Sequence, residues 1–404
     1  MLVSHRERGL MGYVDTFRSL AEAFQEGRGN GVLEDGLVLH QRRFRSSEAR
    51  EAVDTVSPGE LPVSEAALEP DFLRGLLHRD DGVEENLEFP YRIVAPSGCE
   101  RSDRGVLLLH GLNERRWEKY LPWAKALAEG LGAPIVLFPV AFHMDRSPAL
   151  WSEPRPMRQL SRERLRRMPE LEASSFANAA LSTRLHARPE RFVLSGLRTS
   201  KDLARFSDCV RQGQEPLLAP DARLDFFAYS IGAFLAEVLL MGDAEGRFAA
   251  SRLVTFCGGC VLARTSPLSR EILDSAAALS LHRFLDELEA QKQLRPALGR
   301  LLSEDSVGRA FQSMVHPDRY RPERETALQR LGSRMVAISF QGDRVMPSAA
   351  VAETLSGSGA HVEILAPPYD YEHSNPFPVN GVSEVEVERA FSSVFGRAVE
   401  WLNG

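Results

Sequence analysis

Cysteine is scarce in this chain. Its 404 residues include four, Cys99, Cys209, Cys257 and Cys260. So few thiols at this length exclude a disulfide-built scaffold. Long apolar runs are missing too, and no uninterrupted stretch reaches the length that spans a bilayer. The segment Met1-Leu2-Val3-Ser4-His5-Arg6-Glu7-Arg8 lacks the apolar centre of a secretory leader. The expected compartment is therefore the cytoplasm. There is no excess of positive charge: 49 Lys and Arg stand against 56 Asp and Glu, a net charge of -7. That balance argues against nucleic acid as the main partner. No internal repeat or low-complexity tract is visible. What is present, 43% hydrophobic and 26% charged residues, suits an ordinary globular protein of one large domain or two smaller ones.

The most informative stretch is Leu224-Asp225-Phe226-Phe227-Ala228-Tyr229-Ser230-Ile231-Gly232-Ala233-Phe234. Its first half is a short Phe-rich run that reads as a buried strand. From Ile231 to Met241 it is rich in Ala and Leu and reads as a helix. Ser230 stands at the junction, with the small residues Ala228 and Gly232 two positions to either side. A serine on so sharp a strand-to-helix turn adopts a strained backbone, and bulky neighbours would collide there. The usual pattern is G-x-S-x-G. Ala228 takes the place of the first glycine.

The rest of the chain reads as alternating strands and helices. Residues 1–85 form an N-terminal extension expected to pack on the core. It has a helical rhythm over Val14–Phe24 and a second over Glu65–Leu77, broken at Pro70. Asn86–Val94 is a candidate strand. Gly105–Leu109 is a buried strand followed at once by His110-Gly111-Leu112-Asn113. Leu121–Leu131 is an amphipathic helix that Gly132 closes, and Ala133–Val140 is the next strand. Strand, helix and strand in some 35 residues is the rhythm of a parallel α/β sheet. Residues 141–196 break that rhythm and read as an insertion near the mouth of a site. Its basic run Arg162-Glu163-Arg164-Leu165-Arg166-Arg167 is expected to be a solvated helix face. Ser200–Gln212 reads as a helix. Arg252–Phe256 is a strand that ends at Cys257-Gly258-Gly259-Cys260. Helical patterns fill the stretch from about 264 to 333. Met335–Phe340, Ser348–Leu355, His361–Leu365 and Glu384–Leu402 then read as strand, helix, strand and closing helix.

A serine at a turn is a nucleophile only if a base takes its proton and an acid orients that base. In a parallel sheet such groups come from loops at the carboxyl ends of the strands. Asp343, in Gln341-Gly342-Asp343-Arg344-Val345-Met346-Pro347, and His373, in Tyr371-Glu372-His373-Ser374, both follow predicted strands. The chain order is Ser230, Asp343, His373. Developing negative charge on a carbonyl oxygen needs preorganised N–H donors. The N–H groups of Ile231 and Leu112 are assigned that role, with Gly111 allowing close approach. His110, Gly111, Asn113, Trp117 and Tyr229 are candidates to line the pocket, although His110 is expected to brace its loop. Glu114 is placed either at the pocket or in solvent.

These residues have plainer readings as well. Asp343 competes as a helix N-cap. Asp370 is a fallback acid. His361 is a rival base, but it sits at the start of a strand, on the opposite rim. Cys257-Gly258-Gly259-Cys260 is read as a tight glycine turn with two buried thiols, in preference to a redox or metal motif. No metal and no organic cofactor is called for.

The strand with His110-Gly111, the turn at Ser230, Gly342-Asp343 with Val345 and Pro347, and His373 together resemble the α/β-hydrolase superfamily, from about Asn86 to Gly404. Within it the chain is similar to a bacterial branch from which no substrate carries over. The resemblance implies an α/β fold with a mostly parallel central sheet flanked by helices. The core would be 86–263 and 334–404, and a helical cap or lid would fill 264–333. It implies a serine hydrolase cleaving a carboxylic ester of a small-molecule acyl substrate through Ser230, His373 and Asp343. The competing expectations are a catalytically silent module that binds a partner, and lyase or acyl-transfer chemistry with the same three residues.

Overall fold

The computed structural model describes residues 12–27, 30–34, 36–46, 76, 80 and 83–404. Within these residues one sheet carries nine strands in the order β1-β2-β3-β5-β4-β6-β7-β8-β9. They are β1 (Gly31–Glu34), β2 (Leu37–Arg45), β3 (Glu88–Pro96), β4 (Ser102–Leu109), β5 (Ile135–Leu137), β6 (Leu218–Tyr229), β7 (Leu253–Phe256), β8 (Met335–Phe340) and β9 (His361–Leu365). β1, β2, β3 and β5 pair antiparallel in turn. From β5 through β4 to β9 every pairing is parallel. The chain steps outward to β5, returns past β4 to β6, and then advances strand by strand to the far edge. This is the α/β-hydrolase fold.

The central strands are buried on both faces, so they are continuously apolar instead of alternating. In β6, Phe227 and Tyr229 face one layer while Phe226 and Ala228 face the other. The first layer is covered by α1 (Tyr13–Gly27), α2 (Leu121–Leu131) and α13 (Glu384–Asn403). Trp123 of α2 is fully buried at its centre, edge-on to Phe227, Tyr229, Phe256 and Phe377. The second layer includes α5 (Glu190–Arg211), α6 (Ile231–Met241), α11 (Arg321–Gly332) and α12 (Ser348–Leu355).

The remaining helices form a roof over one rim of the sheet. The 141–196 segment supplies α3 (Pro154–Arg167) and α4 (Ala179–Ala187), and leads into α5. The later segment supplies α7 (Ser275–Asp286), α8 (Leu288–Leu294), α9 (Pro296–Glu304) and α10 (Ser306–Ser313). Helices α4 and α7 pack on each other. Beneath them lie Phe234 and Val238 of α6 and Leu197 of α5.

Several expectations need correction. The stretch before residue 86 is more than a packed appendage, because β1 and β2 extend the sheet itself. The rhythm expected over Glu65–Leu77 lies, except for Leu76, outside the described residues. The 264–333 cap is too long as drawn. Leu328 and Leu331 of α11 are buried against the sheet, so that helix flanks the core. The strand expected over Ala133–Val140 pairs only from Ile135 to Leu137, since Pro134 and Pro139 cannot donate to a ladder. Helix α5 begins ten residues before the expected Ser200. Thr199 and Ser200 keep helical geometry while their hydroxyls donate to the Ser195 and Gly196 carbonyls, at 2.8 and 3.1 Å. In the basic run of α3, Arg162, Arg166 and Arg167 are exposed as expected. Arg164 is fully buried and grips Asp274, with both bonds at 2.8 Å, tying the two roof segments together.

Trp123 sits where the first layer closes, fully buried among aromatic rings. Trp123→Ala is expected to cost about 3–5 kcal/mol of stability. Urea unfolding followed by far-ultraviolet circular dichroism measures it. A cost under about 1 kcal/mol would mean that the aromatic layer does not hold this face.

Candidate active site

Ser230 follows the last residue of β6 and precedes the first turn of α6. Its backbone takes φ 57° and ψ -123°, a region unfavourable for any residue with a β-carbon. The conformation is held from several sides. The Ser230 N–H donates to the Phe256 carbonyl of β7 at 3.0 Å. A β-carbon on Gly232 would lie 2.7 Å from the His110 carbonyl oxygen, so only glycine lets α6 pass the end of β4. A β-carbon on Gly258 would lie 2.3 Å from the Ser230 carbonyl oxygen. The methyl of Ala228, in contrast, is accommodated in the second core layer.

The loops after β8 and β9 meet at this turn. Ser230 Oγ lies 2.7 Å from His373 Nε2, and His373 Nδ1 lies 2.8 Å from Asp343 Oδ2. All three residues are buried, His373 the most exposed at 7%. Asp343 does two things at once. Its Oδ1 accepts the Val345 and Met346 N–H groups, both at 2.9 Å, which anchors the loop before α12; the helix itself is capped at Pro347, so the capping role anticipated for Asp343 is not filled. Its Oδ2 also accepts the Tyr371 hydroxyl at 2.9 Å. The His373 ring stacks on Tyr229, with centroids 5.5 Å apart, and its backbone carbonyl accepts the Tyr229 hydroxyl. Lys119 donates to the Ser374 carbonyl at 3.0 Å and pairs with Glu114. The imidazole is thereby fixed in place and in orientation.

Beyond the serine lies a cavity of about 510 Å³. Gly111, Leu112, Asn113 and Tyr229 line it as anticipated, and so does Glu114. His110 and Trp117 do not. His110 is fully buried beneath the loop: the Val140 N–H donates to its Nε2 at 2.9 Å, and its Nδ1 meets the Gly111 carbonyl at 2.9 Å. That pattern fixes the Nδ1–H tautomer, and burial with His143 alongside holds its pKa well below the usual value. Trp117 is buried against His110 and donates to Asp145 at 2.7 Å. The Gly111 N–H is taken by the Tyr120 hydroxyl at 3.1 Å. The N–H groups of Leu112 and Ile231, among the described residues, carry no hydrogen bond. The Ile231 N–H also opens the first turn of α6, where the helix dipole favours negative charge. His361 is exposed on the opposite rim, 3.2 Å from Glu363, and Asp370 is exposed.

Other wall residues escaped the sequence reading. Phe17, Ala21 and Gln25 of α1, Phe176 of the first roof segment, and Glu271 and Ile272 of the second all face the cavity. The amphipathic rhythm of Val14–Phe24 was the one available signal. Asn113 joins the two roof segments by donating to the Ala177 and Glu271 carbonyls, at 2.9 and 2.6 Å.

The Cys257-Gly258-Gly259-Cys260 turn lies directly behind Ser230. Both thiols are buried, and burial pushes Cys260 up to about 12. No group of three potential metal ligands occurs among the described residues. Gly259 has φ +91°, and a β-carbon there would meet the Glu237 carboxyl of α6 at 2.2 Å. Glu237 is fully buried, and neither of its oxygens has a hydrogen-bond partner among the described residues. Burial therefore holds its pKa well above the carboxylate range, and the folded chain keeps it protonated. The unfolded chain releases that proton above about pH 4.5. It then binds fewer protons than the folded chain, so this group lowers stability as pH rises. Glu237→Gln is expected to be more stable than wild type at pH 8, with the gap closing as the pH falls toward 4.5. Thermal unfolding across that range measures it. A gap independent of pH would refute the protonated state.

Solved structures similar to the chain include a thermostable esterase from Pseudomonas putida, at 13% identity, covering 94% of this chain and 89% of that one, with a TM-score of 0.40. The esterase Est22 is 10% identical over 96% of this chain and 87% of its own, with a TM-score of 0.48. The peroxisomal alpha-beta-hydrolase Lpx1 from Saccharomyces cerevisiae is 10% identical over 91% of both chains, with a TM-score of 0.41. No curated protein matches the sequence. The family described as "Family of unknown function (DUF6051)" matches residues 11–403, and the chain belongs to that family.

Proposed function

We propose that the chain is a serine hydrolase that cleaves a carboxylic ester of a small-molecule substrate. One observation carries the reading: a serine on a strained turn, hydrogen-bonded through one imidazole to a buried carboxylate, at the floor of a 510 Å³ cavity. A strained backbone and a buried acid are costly in a fold that does nothing with them. The roof segments, 141–196 and 264 to about 316, act in this reading as the substrate-binding cap.

The chemistry follows from the atoms in place. Ser230 Oγ attacks the ester carbonyl carbon as its proton passes to His373 Nε2. Asp343 accepts the Nδ1–H of the imidazolium and stabilises its charge. The carbonyl oxygen becomes an oxyanion and receives the N–H groups of Leu112 and Ile231. Collapse of the tetrahedral intermediate breaks the bond to the leaving alkoxide, which takes the proton from His373. Water then enters, gives a proton to His373 and attacks the acyl-enzyme. The acid leaves as Ser230 regains its proton. Esters are favoured over amides because an alkoxide leaves more readily than an amine. The walls of the large cavity carry charges of both signs: Glu114 is paired with Lys119, and Arg115 lies 3.6 Å from Glu271. That lining suits a polar leaving group.

Intact-mass analysis after exposure to a fluorophosphonate is expected to show a single adduct on wild type and none on Ser230→Ala or His373→Ala. Turnover of short p-nitrophenyl esters should fall by roughly 10⁴-fold in Asp343→Asn, which keeps the size of the side chain but not its charge. Absence of any adduct on folded wild-type protein would overturn the hydrolase reading in favour of a silent binding module. Rapid labelling without ester, thioester or amide hydrolysis would point to acyl transfer.

A further inference from the structure

His143 lies outside the catalytic set, yet it is one of the most constrained residues near it. It sits in the loop after β5, between Phe142 at φ 63° and Met144 at φ 48°, both left-handed and neither glycine. Its ring lies 5.4 Å from that of His110. It is 6% exposed. Its Nδ1 is held by the Ala141 carbonyl at 2.9 Å, which places the proton there and leaves Nε2 as an acceptor. Among the described residues that buried Nε2 has no partner. Burial lowers the pKa to about 4, so the ring is neutral at pH 7.

Two small cavities, of about 50 and 20 Å³, share His143 as a wall. The larger is mostly apolar and lined by Leu112 and Ile231, the two residues assigned to the oxyanion, together with Phe234 and Val238 of α6, with Ser195 and the buried Arg184 and Arg191 also on its wall. The smaller shares Asn113, Glu114 and Arg115 with the large cavity before Ser230. His143 thus stands behind the oxyanion loop, in the wall of a recess that shares Leu112 with the cavity before Ser230. A volume of 50 Å³ holds about 3–5 water-sized atoms.

We propose that this recess binds the acyl group of the substrate, and that the acyl group is short and carries a hydroxyl that donates to His143 Nε2. The inference rests on the reading of Ser230 as nucleophile for the word acyl, but not for the binding. A long fatty acyl chain does not fit a space of this size. A plain short chain fits but leaves a buried acceptor unsatisfied, which weakens its binding relative to the hydroxylated analogue.

The test uses the full chain carrying Ser230→Ala, which binds esters without turning them over. Affinities for phenyl butyrate and phenyl 3-hydroxybutyrate are measured by calorimetric titration. The hydroxylated ester is expected to bind on the order of tenfold more tightly. In Ser230→Ala with His143→Phe, which keeps a flat ring and removes the acceptor, the two affinities should become equal. With His143→Gln, which restores an acceptor, the preference should return in part. Equal affinities in Ser230→Ala, failure to bind either ester, or a preference that survives His143→Phe would each overturn the proposal. Equal affinities would mean that Nε2 is satisfied by trapped water. Fluorophosphonate labelling of wild type reports separately on the nucleophile. A hydroxyl preference without labelling would retain the site and discard the hydrolase. A far-ultraviolet circular dichroism spectrum and a thermal unfolding midpoint like those of wild type show that His143→Phe folds.

Discussion

The structure depends on a single backbone conformation, the positive φ of Ser230. A β-carbon in that region is pushed against its own chain, and nothing local to Tyr229-Ser230-Ile231 relieves it. The relief comes from two neighbouring strands and two glycines. β7 accepts the serine N–H. β4 ends where Gly232 leaves room for its carbonyl groups. Gly258 leaves room for the serine's own carbonyl. The two glycines are requirements for the absence of a side chain, so the turn is specified as much by what is missing around it as by the hydrogen bond to β7.

Once Ser230 is fixed, the other groups need only modest anchoring. Asp343 is positioned by the two loop N–H groups that donate to it, and it reaches His373 with its second oxygen. His373 is clamped by the ring and hydroxyl of Tyr229 and, through Ser374, by Lys119. The loop-anchoring and orienting roles of Asp343 do not compete, because a carboxylate has acceptor sites on both oxygens. The sheet supplies the common rim, and the aromatic layer around Trp123 supplies its rigidity. Behind the turn, Glu237 shows the cost of crowding so many backbone groups together: a carboxyl lies over Gly259 with no hydrogen-bond partner among the described residues.

Much of this was legible in the sequence because parallel strands announce themselves as short apolar runs, and loops at their carboxyl ends must share one side of a sheet. Ser230, Asp343 and His373 could be placed on one rim from strand order alone. The rest was hidden for identifiable reasons. β1 and β2 pair antiparallel at the sheet margin with charged residues among them, so they lack the apolar run that marks β4 or β8. Arg164 looks like its solvated neighbours until Asp274, more than a hundred residues away, is brought against it. Trp117 has the size and polarity of a pocket residue, but its indole N–H is directed inward by Asp145. Tyr371 and Lys119 act through a hydroxyl and an ammonium group aimed at distant partners, which no local pattern records.

Helix α1 forms part of the cavity wall through Phe17, Ala21 and Gln25, yet it is held from the far end of the sequence. The Tyr13 N–H donates to Glu388 at 2.5 Å, and the Tyr13 ring packs 4.6 Å from Phe391. This wall packs on β1 and α2 as well, but its last contacts wait for α13, some 370 residues later. Contacts of such sequence separation form late and slowly. A chain ending short of α13 would therefore lack the contacts of Glu388 and Phe391 that hold this wall of the cavity from its far side.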